Sequence, residues 1–102
     1  LRHIHDTRIK YTLLLNQVED QTLKFDRLCE LNVLEQVINA CHSTVVQDAW
    51  DRGQAITVHS WIYNLHDGLL RNLGLEVTAI DELVSQYDEV LLRMSQALPQ
   101  AI

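Results

Sequence analysis

The segment Ala55–Leu65 constrains the fold of this chain most, because it has the composition of a strand that is apolar on both faces. β-Branched and aromatic residues dominate it, and such residues favour strands. Alternation places Ile56, Val58, Ser60 and Ile62 on one face, and Thr57, His59, Trp61, Tyr63 and Leu65 on the other. Neither face is wholly polar, which is typical of a strand covered on both sides in an α/β sheet.

A hairpin is predicted to follow this strand. His66-Asp67-Gly68 contains the Asp-Gly turn signal, and we expect Leu69–Leu73 to return as an antiparallel strand that stops at Gly74. Two strands alone are marginally stable in water. We therefore expect further sheet neighbours, and we expect them in a part of the protein outside these 102 residues.

Helical periodicity surrounds the strands. A helix is predicted over residues 21–42, with Asp20 as its N-cap. Its apolar positions cover a wide arc, made of Leu23, Leu28, Leu31, Val33, Leu34, Val37, Ile38 and Cys41. A helix apolar over so much of its circumference usually packs against more than one neighbour. Apolar spacing also predicts a first helix over about residues 1–15.

Two further helices complete the pattern. Thr44 and Gln47 match a capping box that would begin a short helix, Gly53 would end it, and we expect Trp50 to dock it on the core. The last helix is expected to begin at or near Thr78. Its predicted apolar stripe is Leu83, Val84, Tyr87, Val90, Leu91 and Met94.

Composition excludes several classes of function. A chain of 102 residues is long enough for one small domain and no more, and 47% hydrophobic with 22% charged residues is typical of a globular protein. A formal charge of -6 argues against nucleic-acid binding. No apolar run reaches the roughly 20 residues of a membrane span, and the first residues resemble no signal peptide. Two cysteines without a disulfide pattern favour a cytoplasmic setting.

The residues by themselves show no catalytic constellation. The five histidines and two cysteines have no metal-ligand spacing, so Cys29 and Cys41 are interpreted as small buried hydrophobes. Ser60 and His59 are adjacent on a strand and would point to opposite faces. We therefore expect neither a catalytic group nor a metal ligand within this segment.

Two features keep a functional alternative open. Glu35 lies near the edge of the apolar arc of its helix. A charge at the rim of the core, reaching solvent or an arginine, is favoured there over a catalytic role. His59, Trp61 and Tyr63 share one face of the strand, where an aromatic core face with satisfied polar tips is favoured over a binding site.

Several phrases of the chain resemble the C-terminal part of a bacterial-type β-class carbonic anhydrase. They are Asn32–Val37, Val46–Trp50, Arg52–Gln54, Val58–Tyr63 and His66–Leu70. The resemblance implies an α/β fold, in which helices flank a mainly parallel sheet with an added antiparallel edge hairpin. It also implies that residues 1–102 are the C-terminal segment of a single domain whose zinc-binding part precedes them.

The resemblance implies a function for the parent protein. Family members interconvert carbon dioxide and bicarbonate with one zinc, whose bound water becomes the attacking hydroxide, and they form homodimers or larger assemblies. The family's zinc motifs, C-x-D-x-R and H-x-x-C, do not occur in this sequence. The resemblance thus implies a lyase whose present segment supplies core, edge strands and oligomer contacts and is inactive alone.

One site residue is carried over from the resemblance. Tyr63 matches a tyrosine that helps to form a non-catalytic bicarbonate pocket in the bicarbonate-regulated subgroup of the family. Ser60 stands where the family usually has glycine, and so places a side chain where backbones pack closely. Two alternatives remain open at this point, a non-catalytic assembly or interaction module related to the family and a free-standing helical regulatory domain.

Overall fold

The computed structural model describes residues 11–65 and 67–96. The elements in chain order are α1 (Thr12–Asn16), α2 (Gln21–Cys41), α3 (Thr44–Asp51), β1 (Val58–Tyr63), β2 (Leu70–Val77), a 3-10 turn (Ile80–Glu82) and α4 (Leu83–Gln96). Most of the predicted first helix, residues 1–10, lies outside the described residues, as does His66 of the predicted turn.

Helix α2 lies at the centre of the molecule and begins where the sequence predicts. The Asp20 carboxylate accepts hydrogen bonds from the backbone N–H groups of Thr22 and Leu23, at 2.9 and 3.1 Å. The helix contacts β1, β2 and α4, and its buried apolar residues are Leu28, Leu31, Leu34, Val37 and Cys41. The wide apolar arc thus serves several neighbours, as its breadth indicates.

Strands β1 and β2 pair antiparallel, but the hairpin differs from its predicted bounds. β1 is shorter than Ala55–Leu65, and β2 continues through Gly74 to Val77. The pairs His59–Glu76 and Trp61–Asn72 lie on either side of a register shift. Ser60 therefore faces three residues of β2, and Gly74 belongs to this bulge with φ +97° instead of ending the strand.

The connection between the strands is wider than a two-residue hairpin. The Asn64 N–H donates to Leu69 O at 3.0 Å, and the Gly68 N–H donates to Asn64 O at 2.9 Å. Gly68 has φ +68°, a conformation that glycine adopts without steric cost. The Asp-Gly signal thus correctly marks a turn, but the loop that contains it is longer than the two-residue turn predicted.

The two faces of the hairpin have different environments among the described residues. That both faces are covered stays a prediction, because it places the covering neighbours outside these 102 residues. Ser60, Leu75 and Val77 are fully buried on the face that packs against α2 and α4. The opposite face is defined here as the open face: His59, Trp61, Tyr63, Leu70, Asn72 and Glu76. Trp61 and Tyr63 are 50% and 56% exposed there.

Helix α3 starts from a different cap than the sequence predicts. Ser43 is the N-cap, and its hydroxyl accepts a hydrogen bond from Val46 N–H at 3.4 Å. The Gln47 amide donates to Cys41 O at 3.1 Å, so the predicted Thr44–Gln47 capping box does not form. Trp50 packs against the core as expected.

Helix α4 follows a 3-10 turn instead of beginning directly at Thr78. The N–H and hydroxyl of Thr78 both donate to Glu82 Oε1, at 2.8 and 2.7 Å. Leu83 and Val90 are buried as predicted, whereas Val84 is 70% exposed and does not belong to the apolar stripe. The α/β class predicted from the sequence is confirmed.

Within residues 11–65 and 67–96, none of the helices has both the length and the apolar character needed to cross a membrane.

Candidate functional site

The polar aromatic trio predicted on β1 lies together on the open face. The rings of His59 and Trp61 have centroids 4.8 Å apart at an interplanar angle of 33°. His59 Nδ1 lies 3.5 Å from Glu76 Oε1 on the neighbouring strand. These side chains are exposed among the described residues. Their interpretation as an aromatic core face stays a prediction, because it depends on sheet neighbours expected outside these 102 residues.

Tyr63 ends this trio beside the loop that joins the strands. A methyl group at Gly68 would lie 3.7 Å from the Tyr63 hydroxyl, so the loop backbone passes close to that oxygen. A phenol can donate one hydrogen bond to an oxyanion. The bicarbonate role of Tyr63 stays a prediction; the residue is exposed, and its hydroxyl lies near the loop.

Sequence reasoning missed a charged pair in the same loop. Arg71 Nη2 donates to Asp67 Oδ2 at 2.7 Å, and the Leu69 N–H donates to Asp67 Oδ1 at 2.9 Å. The Arg71 hydrogen bond, followed by that of Leu69, holds the pKa of Asp67 below its usual range. Opposite charges four residues apart across a predicted turn could have indicated this pair.

Glu35 occupies the rim of the core, as the favoured interpretation has it, but its partner is a phenol. The Tyr11 hydroxyl donates a hydrogen bond to Glu35 Oε1 at 2.5 Å and thereby joins α2 to the start of α1. Because a half-buried carboxylate needs such a donor, this contact accounts for the charge without a catalytic role.

The core also contains a charged pair that apolar periodicity did not reveal. Arg27 and Glu30 are 3% and 4% exposed, and Arg27 Nη1 lies 3.2 Å from Glu30 Oε1. Arg27 Nη2 also donates to Met94 O at 3.0 Å, which ties α2 to the last turn of α4. Burial lowers the pKa of Arg27, while the charge of Glu30 opposes that change.

The described residues do not fit a metal. Among residues 11–65 and 67–96, no three His, Cys, Asp or Glu side chains lie close enough together to hold an ion. Cys41 is fully buried and Cys29 half-buried, and both are free thiols. Burial raises the pKa of both thiols, and for Cys29 the charges of Asp26 and Glu30 add to it. The interpretation as a small buried hydrophobe is confirmed for Cys41, whereas Cys29 is only partly buried.

Ser60 has a structural partner of its own. Its hydroxyl accepts a hydrogen bond from the buried N–H of Leu75 at 2.9 Å. The bulge leaves that N–H out of the regular strand pairing, and the serine side chain satisfies it. The Ser60 side chain therefore fits at this position, where the family usually has glycine, because its hydroxyl bonds to the backbone of the neighbouring strand.

Comparison with known proteins identifies the family. The family model for carbonic anhydrase matches residues 1–70. A carbonic anhydrase of Emericella nidulans is 36% identical over 80 residues, which are 78% of this chain and 35% of that protein. The solved Coccomyxa β-carbonic anhydrase in complex with acetazolamide superposes with a TM-score of 0.71 at 30% identity, over 93% of this chain and 44% of that one.

The fold of this chain, a hairpin packed on a buried helix, is therefore that of a β-carbonic anhydrase over 93% of its length. The chain is a member of the carbonic anhydrase family, in its β class. It spans about a third of the length of the curated relative and less than half of the solved one.

Proposed function

We propose that this chain is the C-terminal segment of a bacterial-type, zinc-dependent β-carbonic anhydrase that interconverts carbon dioxide and bicarbonate. The observation that carries the proposal is the family match over residues 1–70, together with the superposition of 93% of the chain on a β-carbonic anhydrase. The segment contributes the α2 core, the edge hairpin and contacts between subunits of a cytoplasmic homo-oligomer.

The zinc of such an enzyme would be bound outside this segment. The described residues offer no suitable cluster, and the family's motifs C-x-D-x-R and H-x-x-C are absent from the 102 residues. When bound, zinc supplies the hydroxide that attacks carbon dioxide. This segment supplies none of its ligands, and its own role is to support the fold around that site.

The test uses the intact protein that contains these residues. Zinc content is measured by atomic absorption, and carbon dioxide hydration by stopped flow. We expect one zinc per chain and a rate that is lost when the metal is removed. A matched sample of the isolated 102-residue segment should bind no zinc stoichiometrically and show no hydration above buffer.

A non-catalytic assembly module related to carbonic anhydrases is the second candidate. Both candidates are consistent with the lack of a metal-ligand cluster in the part of the chain that the structure describes. The same measurements separate the two functions, because an intact protein without zinc and without hydration activity would support the module and contradict the enzyme.

Tyr63 is further proposed to contribute to a non-catalytic bicarbonate pocket. Its exposed side chain, with the hydroxyl near Gly68, supports this role. In the intact enzyme, Tyr63→Phe should alter the response of activity to bicarbonate and leave zinc content unchanged. An unchanged bicarbonate response would reduce Tyr63 to a packing residue.

A further inference from the structure

We infer that the end of helix α4, residues 91–96, opens and closes on the core as a separate unit, and that Arg27 is the positioning residue that holds it closed. The inference does not depend on the proposed catalytic function. It assigns to the buried Arg27–Glu30 pair the control of a conformational equilibrium, in addition to its place in the core.

The first half of α4 is attached to the rest of the molecule by buried and hydrogen-bonded groups. Leu83 and Val90 are 5% and 2% exposed and belong to the hydrophobic core. The Gln86 side-chain oxygen accepts the Glu76 N–H of β2 at 3.2 Å. This half of the helix is therefore fixed to the hairpin and the core.

The end of α4 is attached less firmly. Among residues 91–96 none is buried, since Leu91 and Met94 are half-buried and the other four are exposed. Local opening has its lowest free energy where few apolar contacts are buried. Residues 91–96 are therefore expected to open at a lower free energy than α2, whose residues Leu31 and Leu34 are fully buried.

Arg27 supplies a contact that compensates for this weak packing. Its Nη2 atom donates to Met94 O at 3.0 Å, and Met94 belongs to the last turn of α4. The C=O groups in the last turn of a helix lack partners within the helix, and a positive charge there interacts favourably with the helix dipole. Arg27 thus caps α4 from a neighbouring helix.

Glu30 keeps Arg27 in this position. Arg27 Nη1 lies 3.2 Å from Glu30 Oε1, three residues further along α2, and both side chains are almost completely buried. Removing one member of a buried ion pair leaves an uncompensated charge inside the protein, which is strongly unfavourable. Without the carboxylate, the guanidinium is expected to turn toward solvent and leave Met94 O, so Glu30 acts on α4 through Arg27.

Native-state hydrogen exchange of the intact protein tests whether the end of α4 opens as a unit. We expect the amides of residues 91–96 to exchange faster than those of residues 31–37 in α2. Their exchange should also depend little on low concentrations of denaturant, because a local opening exposes little surface. Equal rates and equal denaturant dependence in the two segments would overturn the inference, and this measurement needs no substitution.

Arg27→Met and Glu30→Gln test the control of this opening. Either change should accelerate exchange of residues 91–96 on the order of tenfold to a hundredfold, the range for losing a hydrogen bond to a charged group. Exchange of residues 31–37 should accelerate much less. If both segments accelerate equally, the pair only stabilises the whole fold, and the positioning role is wrong. Unchanged exchange of residues 91–96 in both variants would also contradict it.

Lys24→Met is the matched control, because it removes a cation from the same helix one turn before Arg27. Lys24 lines a different place, a cavity that it shares with Leu15 and Phe25. This variant should leave the exchange of residues 91–96 unchanged. If it accelerates exchange as much as Arg27→Met does, the positive charge of α2 is responsible and the specific contact with Met94 O is not.

Discussion

At the scale of single residues, the hairpin bulge concentrates the interactions that local sequence does not specify. Ser60 and Leu75 are fifteen positions apart, yet the serine hydroxyl satisfies the buried N–H of the leucine. Gly74 adopts φ +97° two residues after Asn72, whose side-chain oxygen accepts the Gly74 N–H at 2.8 Å. Ser60 and Gly74 thus both stabilise the bulge, Ser60 by accepting a backbone hydrogen bond and Gly74 by adopting a positive φ.

Ser60→Ala tests the hydrogen bond in the bulge. Removing the hydroxyl leaves the buried Leu75 N–H without an acceptor, and the expected loss is about 1–3 kcal/mol of unfolding free energy. Chemical denaturation measures it. Ser95→Ala, an exposed serine on α4, is the control and should change stability by less than about 0.5 kcal/mol. Equal effects of the two substitutions would contradict the role of Ser60.

Gly74→Ala tests the bulge backbone. A methyl group there is strained by the positive φ and would also come 2.6 Å from Arg93 Nη2. We expect a loss of about 1–3 kcal/mol, measured by denaturant unfolding. Gly53→Ala is the control, since Gly53 has φ +78° but nothing within 4 Å of the added methyl. If both cost the same, Arg93 contributes nothing to the requirement for glycine.

At the scale of elements, the sequence predicted one of the two helix caps correctly and missed the other by one residue. The bounds of α2 and its Asp20 cap were predicted from the sequence, because Asp20 contacts N–H groups only two and three residues away. The cap of α3 was predicted one residue late. Ser43 and Thr44 have similar capping preferences, and in the structure the Ser43 hydroxyl accepts from Val46 N–H and donates to Ala40 O at the end of α2.

Substitutions at the two candidate caps discriminate between them. Ser43→Ala should destabilise the protein by about 0.5–2 kcal/mol, since it removes the acceptor for Val46 N–H. Thr44→Ala should cost less than about 0.5 kcal/mol, because Thr44 is an exposed residue of the first turn. Thermal unfolding of both variants provides the measurement. A larger effect at Thr44 would restore the predicted capping box.

Helix α4 gives the protein an alkaline dependence of stability. Burial, with a smaller effect from the charge of Asp88, raises the pKa of Tyr87 to about 12. The ordinary value near 10 applies to the unfolded chain, so between these values the folded state binds more protons. The contribution of protonated Tyr87 to the free energy of unfolding is therefore fully present below a pH of about 10, and it is lost as the pH rises toward about 12.

Tyr87→Phe should flatten this alkaline decline, because phenylalanine has no proton to lose. Urea unfolding of the intact protein and the variant, repeated at several pH values above neutrality, measures the difference. Parallel stability curves for the two proteins would show that another group causes the decline.

At the scale of the whole molecule, one face of the hairpin is packed and the other is exposed. Large hydrophobic side chains exposed on and beside the open face include Trp61, Tyr63, Leu65, Leu69 and Leu70. An exposed group of this kind favours association. The two-sided apolar pattern of β1 thus predicts neighbours on that face, and the described residues leave it uncovered.

We expect the isolated 102-residue segment to associate or to fold only in part. Sedimentation velocity should show concentration-dependent species, and thermal unfolding should be broad. A variant with Trp61→Lys and Leu70→Lys should shift the distribution toward monomer, because charges on the open face oppose association. A monomeric segment with a sharp two-state transition would contradict the expectation.

The sequence by itself determined the α/β class, α2 with its Asp20 cap, the hairpin and the family resemblance, because these depend on local periodicity and short motifs. Only the tertiary structure decided the bulge, the Ser60–Leu75 hydrogen bond and the Arg27 contact with Met94 O. Strand register and side-chain partners depend on how distant segments pack, and no local propensity specifies that. Contacts between residues close in sequence could thus be predicted, whereas contacts between segments distant in sequence required the folded structure.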